Sequence, residues 1–79
     1  MKVYIVVYHD NTNDQDCVNF DVFSTREKAE KQFNRSIAEY CQQNDVLAPD
    51  YSETDYAVFD DQYGNVYEIF INQEIVQDD

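Results

Sequence analysis

Only one segment of this chain has a helical period, and it is bracketed by segments that read as strands. Over 24–43, Ala29, Phe33 and Ile37 follow at intervals of four, with Tyr40 and Cys41 three and four beyond Ile37, and so form one apolar stripe along a helix. A solitary helix has no second helix on which to bury that stripe. In a chain of 79 residues the opposing layer must therefore be a sheet. Ser24-Thr25-Arg26-Glu27 has the form of a capping box, with the Ser24 hydroxyl accepting from the Glu27 N–H and Glu27 reaching back to the Ser24 N–H. Lys28, Lys31 and Arg35 make a basic stripe on another side, and Glu27 stands in ion-pairing position before Lys31.

The flanking segments supply the sheet. Residues 3–8 are a continuous β-branched and aromatic run, suited to a buried strand that His9 ends. Residues 9–16 are rich in Asn and Asp and read as a hairpin loop. In 18–23 the alternation places Val18, Phe20 and Val22 on one side and Asn19 and Asp21 on the other. Residues 44–55 contain Pro49 and several acids, which suits an ordered, non-helical connection. Residues 56–61 and 66–76 read as a second hairpin, with Gly64-Asn65 supplying the turn.

The expected fold is α+β, a single domain over 1–79 with the order ββαββ: a four-stranded antiparallel sheet carrying one helix on one face. Val3, Ile5, Val7, Val18, Phe20, Val22, Val58, Ile69 and Ile71 are expected to face the helix. The uncovered face is then expected to present Tyr4, Val6, Tyr8, Asn19, Asp21, Phe59, Asp61, Glu68 and Phe70. A two-residue turn would set Phe59 opposite Phe70 and Asp61 opposite Glu68. The first pairing is favourable and the second is a like-charge conflict that stability alone would not select.

Charge is distributed just as unevenly. All five cations (Lys2, Arg26, Lys28, Lys31 and Arg35) precede residue 36, while eleven carboxylates follow it. The net charge is −12, beyond the magnitude of roughly 2–8 usual as a target for small soluble domains. Such a field repels nucleic acid and anionic membranes and draws basic partners. Twelve aromatic residues, seven Tyr and five Phe, argue against a disordered acidic tail. Alternate residues of a strand recur at about 6.6 Å, close to the roughly 6.8 Å that every second phosphate of one DNA strand advances along the helix axis. A carboxylate-bearing strand can thus follow a line of nucleic-acid charge. Tyrosines interleaved with the acids suit Arg-rich partners, since Arg pairs with carboxylates and stacks on rings.

Catalytic and metal chemistry find little support. The single His9 has no Ser or Cys partner in a nucleophile arrangement, and only one Gly is present, so phosphate-binding glycine loops are absent. Asp10, Asp14, Asp16 and Asp21 match calcium-loop positions in number, but Gln15 replaces the required Gly and Asp21 the terminal Glu. No cofactor, metal or catalytic residue is expected, and the protein is read as a non-enzyme. Cys17 and Cys41 are too few for a secreted disulfide scaffold, and no signal peptide or long apolar run is seen. The expected location is the cytoplasm, with reduced thiols.

The start MKVYIVVY, the run VFSTREKAEKQF leading the helix and the terminal hairpin resemble small phage-type proteins. Size, acidity and lack of a catalytic motif resemble the anti-CRISPR and other DNA-mimic inhibitors of mobile elements. That class has no common motif, so no functional residue is carried over by position. The resemblance implies an inhibitor, in the host cell cytoplasm, that occupies a basic channel or PAM-reading site of a CRISPR effector or another host factor. The candidate partner-binding residues are Asp50, Glu53, Asp55, Asp60, Asp61, Tyr63, Tyr67, Glu68 and Glu74. The alternative is an accessory or oligomerising domain whose homodimer covers Tyr4, Tyr8, Phe59 and Phe70. Direct binding of nucleic acid or membrane is disfavoured by charge.

Overall fold

A computed structural model describes residues 1–12 and 15–77. Strands β1 (Lys2–Thr12) and β2 (Gln15–Phe23) form the first hairpin and α1 (Arg26–Asn44) follows. Strands β3 (Tyr51–Glu53), β4 (Tyr56–Asp60) and β5 (Val66–Ile75) complete the chain. The sheet is five-stranded in the order β2-β1-β5-β4-β3, and every neighbouring pair is antiparallel. The class is α+β with one helix, as the pattern demands, but with five strands instead of four. The added strand lies in the connection after Pro49, where Tyr51, Ser52 and Glu53 pair with Val58, Ala57 and Tyr56. It is three residues long, with Ser52 and Glu53 polar, and too short for alternation to reveal.

The first hairpin runs further than its composition suggests. The ladder continues through Asp10↔Cys17 and Asn11↔Asp16 to Thr12↔Gln15, so of the residues expected as loop, 9–12, 15 and 16 are strand, 13 and 14 lie outside the described residues, and His9 sits within β1 instead of ending it. β1 also pairs along its length with β5, and pairing on both sides holds this Asn/Asp-rich stretch extended.

Helix α1 starts one residue later than the capping box implies. Thr25 is the N-cap, in extended conformation, and its Oγ1 accepts from the Lys28 N–H at 3.3 Å. Lys28 then occupies the position where a box needs Glu or Gln, so no reciprocal bond forms. Glu27 instead lies in the first turn, where it suits the helix dipole, 3.8 Å from Lys31. The helix stops at Asp45, whose φ of 55° is left-handed, with the Val46 N–H donating to the Cys41 carbonyl at 3.0 Å.

The second hairpin departs most from expectation. Asp61 accepts from the Tyr63 N–H at 2.8 Å, the Asn65 N–H at 3.2 Å and the Asn65 amide at 2.6 Å. This carboxylate closes a loop over 61–65 that contains positive φ at Gln62 and Gly64. The register becomes Phe59↔Tyr67 and Tyr56↔Phe70, so the expected Phe59–Phe70 and Asp61–Glu68 pairs do not form.

The core lies between α1 and one face of the sheet. Val6, Ala29, Phe33, Ala57, Ile69 and Ile71 are buried together, with Tyr4, Tyr8, Phe23, Ile37 and Tyr67 packed around them. Ile69 and Ile71 face the helix as expected; Val3, Ile5, Val7, Val18, Phe20, Val22 and Val58 lie on the other face. Tyr4, Val6, Tyr8 and Phe59, expected on the uncovered side, are under the helix. Both sides of β1 are apolar, so alternation alone cannot choose between them. On the helix side, Tyr8 donates to Asp21 at 2.9 Å and meets Gln32 and Ser36. Ser36, the one buried polar side chain among the described residues, accepts from Gln32 at 3.2 Å.

Candidate protein-binding surface

The face opposite the helix has two unlike halves. On β1 and β2 it is apolar: Ile5 lies opposite Val22 and Val7 opposite Phe20. Val18, Phe20 and Val22 are 59%, 65% and 54% exposed. On β5, β4 and β3 it is aromatic and acidic. Tyr56 stacks near Phe70 with ring centroids 6.4 Å apart and meets the edge of Tyr51 at 6.1 Å. The Tyr56 hydroxyl donates to Glu68 at 2.7 Å and the Tyr51 hydroxyl to Glu53 at 2.6 Å. These bonds hold both phenols above their ordinary pKa.

His9 joins the halves. Its Nε2 bonds Asp16 on β2, and its Nδ1 is 3.5 Å from Glu68 on β5. The bond to Asp16, more than any other contact, raises the imidazole above its usual value. Asp16, Glu53, Asp60, Glu68 and Glu74 therefore share this face, and no Lys or Arg joins them among its described residues.

Asp60 and the remaining anticipated acids also have local duties. At the far end of the second hairpin, Asp50 accepts from the Asp60 N–H at 2.7 Å and Asp60 from the Gln62 N–H at 2.8 Å. Asp61 closes the turn, and its bonds from Asn65 and the Tyr63 N–H hold its carboxyl below the usual range. Asp55 lies 3.9 Å from Arg26, which also donates to Glu30 at 2.9 Å. Tyr63 is 90% exposed. Tyr67 is not a surface residue of this face: it stacks on Tyr40 at 4.5 Å beneath the helix, and Tyr40 in turn lies 4.2 Å from Phe59. Burial pushes the Tyr67 phenol up to about 12.

Of the anticipated dimer face, Phe70 alone is on the open side; Tyr4, Tyr8 and Phe59 are committed to the core. The four acids that match calcium-loop positions in number are not brought to one side. Asp16 faces the open side, Asp10 and Asp21 the helix side, and Asp14 lies outside the described residues, as do the terminal acids Asp78 and Asp79. No cluster of three or more metal-ligating side chains occurs among the described residues. Cys17 and Cys41 are free thiols, and no described helix is long and apolar enough to cross a membrane.

A family model described as a domain of unknown function, DUF7336, matches residues 1–70. The chain belongs to that family. The matched stretch takes in the first hairpin, the helix, β3, β4 and half of β5, and so nearly all of both sheet faces. No curated protein and no solved structure matches the chain. For this DUF7336 domain, reasoning from the sequence missed Asp16, Val18, Phe20, Val22 and Tyr56 as members of the open surface. The alternation of 18–23 carried the signal; what it lacked was the side on which the helix would sit.

Proposed function

We propose that this domain is a non-enzymatic binding module that takes a basic, nucleic-acid-binding protein and blocks its engagement with nucleic acid by charge mimicry. The observation that carries this reading is the open sheet face, which sets five carboxylates around apolar and aromatic side chains with no Lys or Arg on that face among the described residues. The Tyr–carboxylate pairs there match what an Arg side chain seeks, a ring to stack on and an oxygen to accept from it. The exposed Val18, Phe20 and Val22 add apolar area, so the interface is not purely electrostatic. The compositional resemblance to DNA-mimic inhibitors points the same way, with a CRISPR effector as one such partner.

The test is affinity capture from a host lysate, followed by DNA competition on whatever is captured. Wild type should retain a basic protein that DNA displaces and that elutes as salt rises. The variant E53K/E68K/E74K should capture much less of it. Equal capture by the variant, or a partner indifferent to DNA and salt, would defeat the reading.

A second reading rests on the exposed Val18, Phe20 and Val22: a second copy covers the apolar half. Two copies would bring like-charged carboxylates together, so self-association should strengthen with added salt, opposite to capture of a basic partner. Sedimentation across a salt series separates the two.

A further inference from the structure

A cavity of about 340 Å³ opens on the helix side of the sheet, between the C-terminal half of α1 and strands β1 and β5. Its wall includes Asp10, Ser36, Glu39, Tyr40, Asn44 and Tyr67, and no Lys or Arg contributes to it. Its size is at the lower end of small-ligand sites, roughly 300–1,000 Å³. Independently of the cavity, Asp10 Oδ1 is a buried oxygen with no hydrogen-bond partner among the described residues. A carboxylate oxygen cut off from donors is costly, and groups of this kind are ordinarily paired. The strands explain how it comes to be there: Asp10 lies opposite Tyr67 in the ladder, on the side that faces the helix. Tyr67 stacks on Tyr40 at 4.5 Å, and Glu39 brings a second carboxylate from the helix.

We infer that this cavity binds a small organic cation with N–H donors, a primary ammonium or a guanidinium, with Asp10 as its principal acceptor. Negative charge on two elements, aromatic rings and uncharged polar side chains form a lining that suits such a head group. Anions and fatty or planar apolar ligands would meet two carboxylates. The same chemistry could come from a free amine or from a Lys or Arg side chain of a bound protein. The site is separate from the open face and stands without it.

The experiment is an NMR titration of the full chain with n-butylammonium, putrescine and N-methylguanidinium, with ionic strength held constant by NaCl. Saturable shifts confined to Ser36, Tyr40, Tyr67 and their neighbours are expected. Tetramethylammonium, which has no N–H, should not reproduce them. Asp10→Asn should weaken binding about tenfold or more, the loss of a charged hydrogen bond, and Glu39→Gln should weaken it less. Shifts spread over all acidic regions, or localised shifts unchanged in D10N, would overturn the inference and leave only a counterion atmosphere and a water on Asp10. Should D10N fold poorly, the localisation in wild type and the tetramethylammonium control still decide. In a parallel arm, Nα-acetyl-arginine-N-methylamide binding more tightly than the free amines identifies an anchor for a partner's side chain; the reverse order identifies a small-molecule site. Loss of amine binding in D10N with partner capture intact would leave the proposed open-face function untouched, and E53K/E68K/E74K should show the converse.

Discussion

The two faces of this sheet are built from alternate residues of the same strands, yet they behave as different kinds of surface. Under the helix, Val6 and Ile69 have lost all exposure and Phe33 nearly all of it. On the other side, Phe20 keeps 65% of its surface and lies beside further apolar side chains that nothing described here covers. Burial of such side chains is worth about 1.5–3 kcal/mol each, so a sequence selected for stability alone would not leave β2 this way. A folding surface and a binding surface can therefore have nearly the same hydrophobicity, and what separates them is the layer packed on one and the acids set around the other.

The contrast is sharpest in paired substitutions. Phe33→Ala, on the helix in the core above the covered face, should cost about 3–5 kcal/mol in urea denaturation. Phe20→Ser on the open face should change monomer stability by no more than about 0.5 kcal/mol while reducing partner capture or self-association. Comparable losses at both sites would mean that the open face is also part of the fold. A smaller effect tests the helix start: Thr25→Ala should cost about 1 kcal/mol, and Ser24→Ala clearly less. The reverse order would restore the capping box at Ser24.

The smallest effects are titrations, one on each face. The His9 pKa is raised above its usual 6.5, chiefly by Asp16. Its stabilising contribution should thus be complete below the unfolded value and vanish as pH rises through the folded one. A comparison of wild type with His9→Gln from mildly acidic to alkaline pH should show the wild-type advantage only at the acidic end. Tyr67, on the covered face, has the same sign at higher pH: its contribution is complete below 10 and is lost towards about 12. Tyrosinate absorbance in wild type and Tyr67→Phe should show a phenol missing from the late part of the curve.

Much of this was legible in the residues. The period of Ala29, Phe33 and Ile37 placed the helix, and the β-branched runs placed the long strands. Three things were not legible, each for a local reason. Strand β3 is three residues long and is held by pairing with β4 more than by its own pattern. The second turn is governed by the side chain of Asp61, not by Gly64-Asn65 alone, and the shift it imposes alters every cross-strand pair in the hairpin. The covered side of β1 was undecidable because Val3, Ile5 and Val7 are as apolar as Tyr4, Val6 and Tyr8. That ambiguity reversed the surface: the open face carries the aliphatic residues expected in the core, while of the acids expected to bind, Glu53, Asp60, Glu68 and Glu74 fall on it.

The central claim is that the open face, and not the helix, meets the partner. It is tested most directly by mapping backbone amide shifts of the labelled domain on addition of the basic protein captured from lysate. Perturbation of Val18, Phe20, Glu53, Glu68 and Phe70, with Lys31 and Arg35 unmoved, is the expected result. A footprint centred on the outer side of α1, with β2 and β5 unmoved, would contradict it.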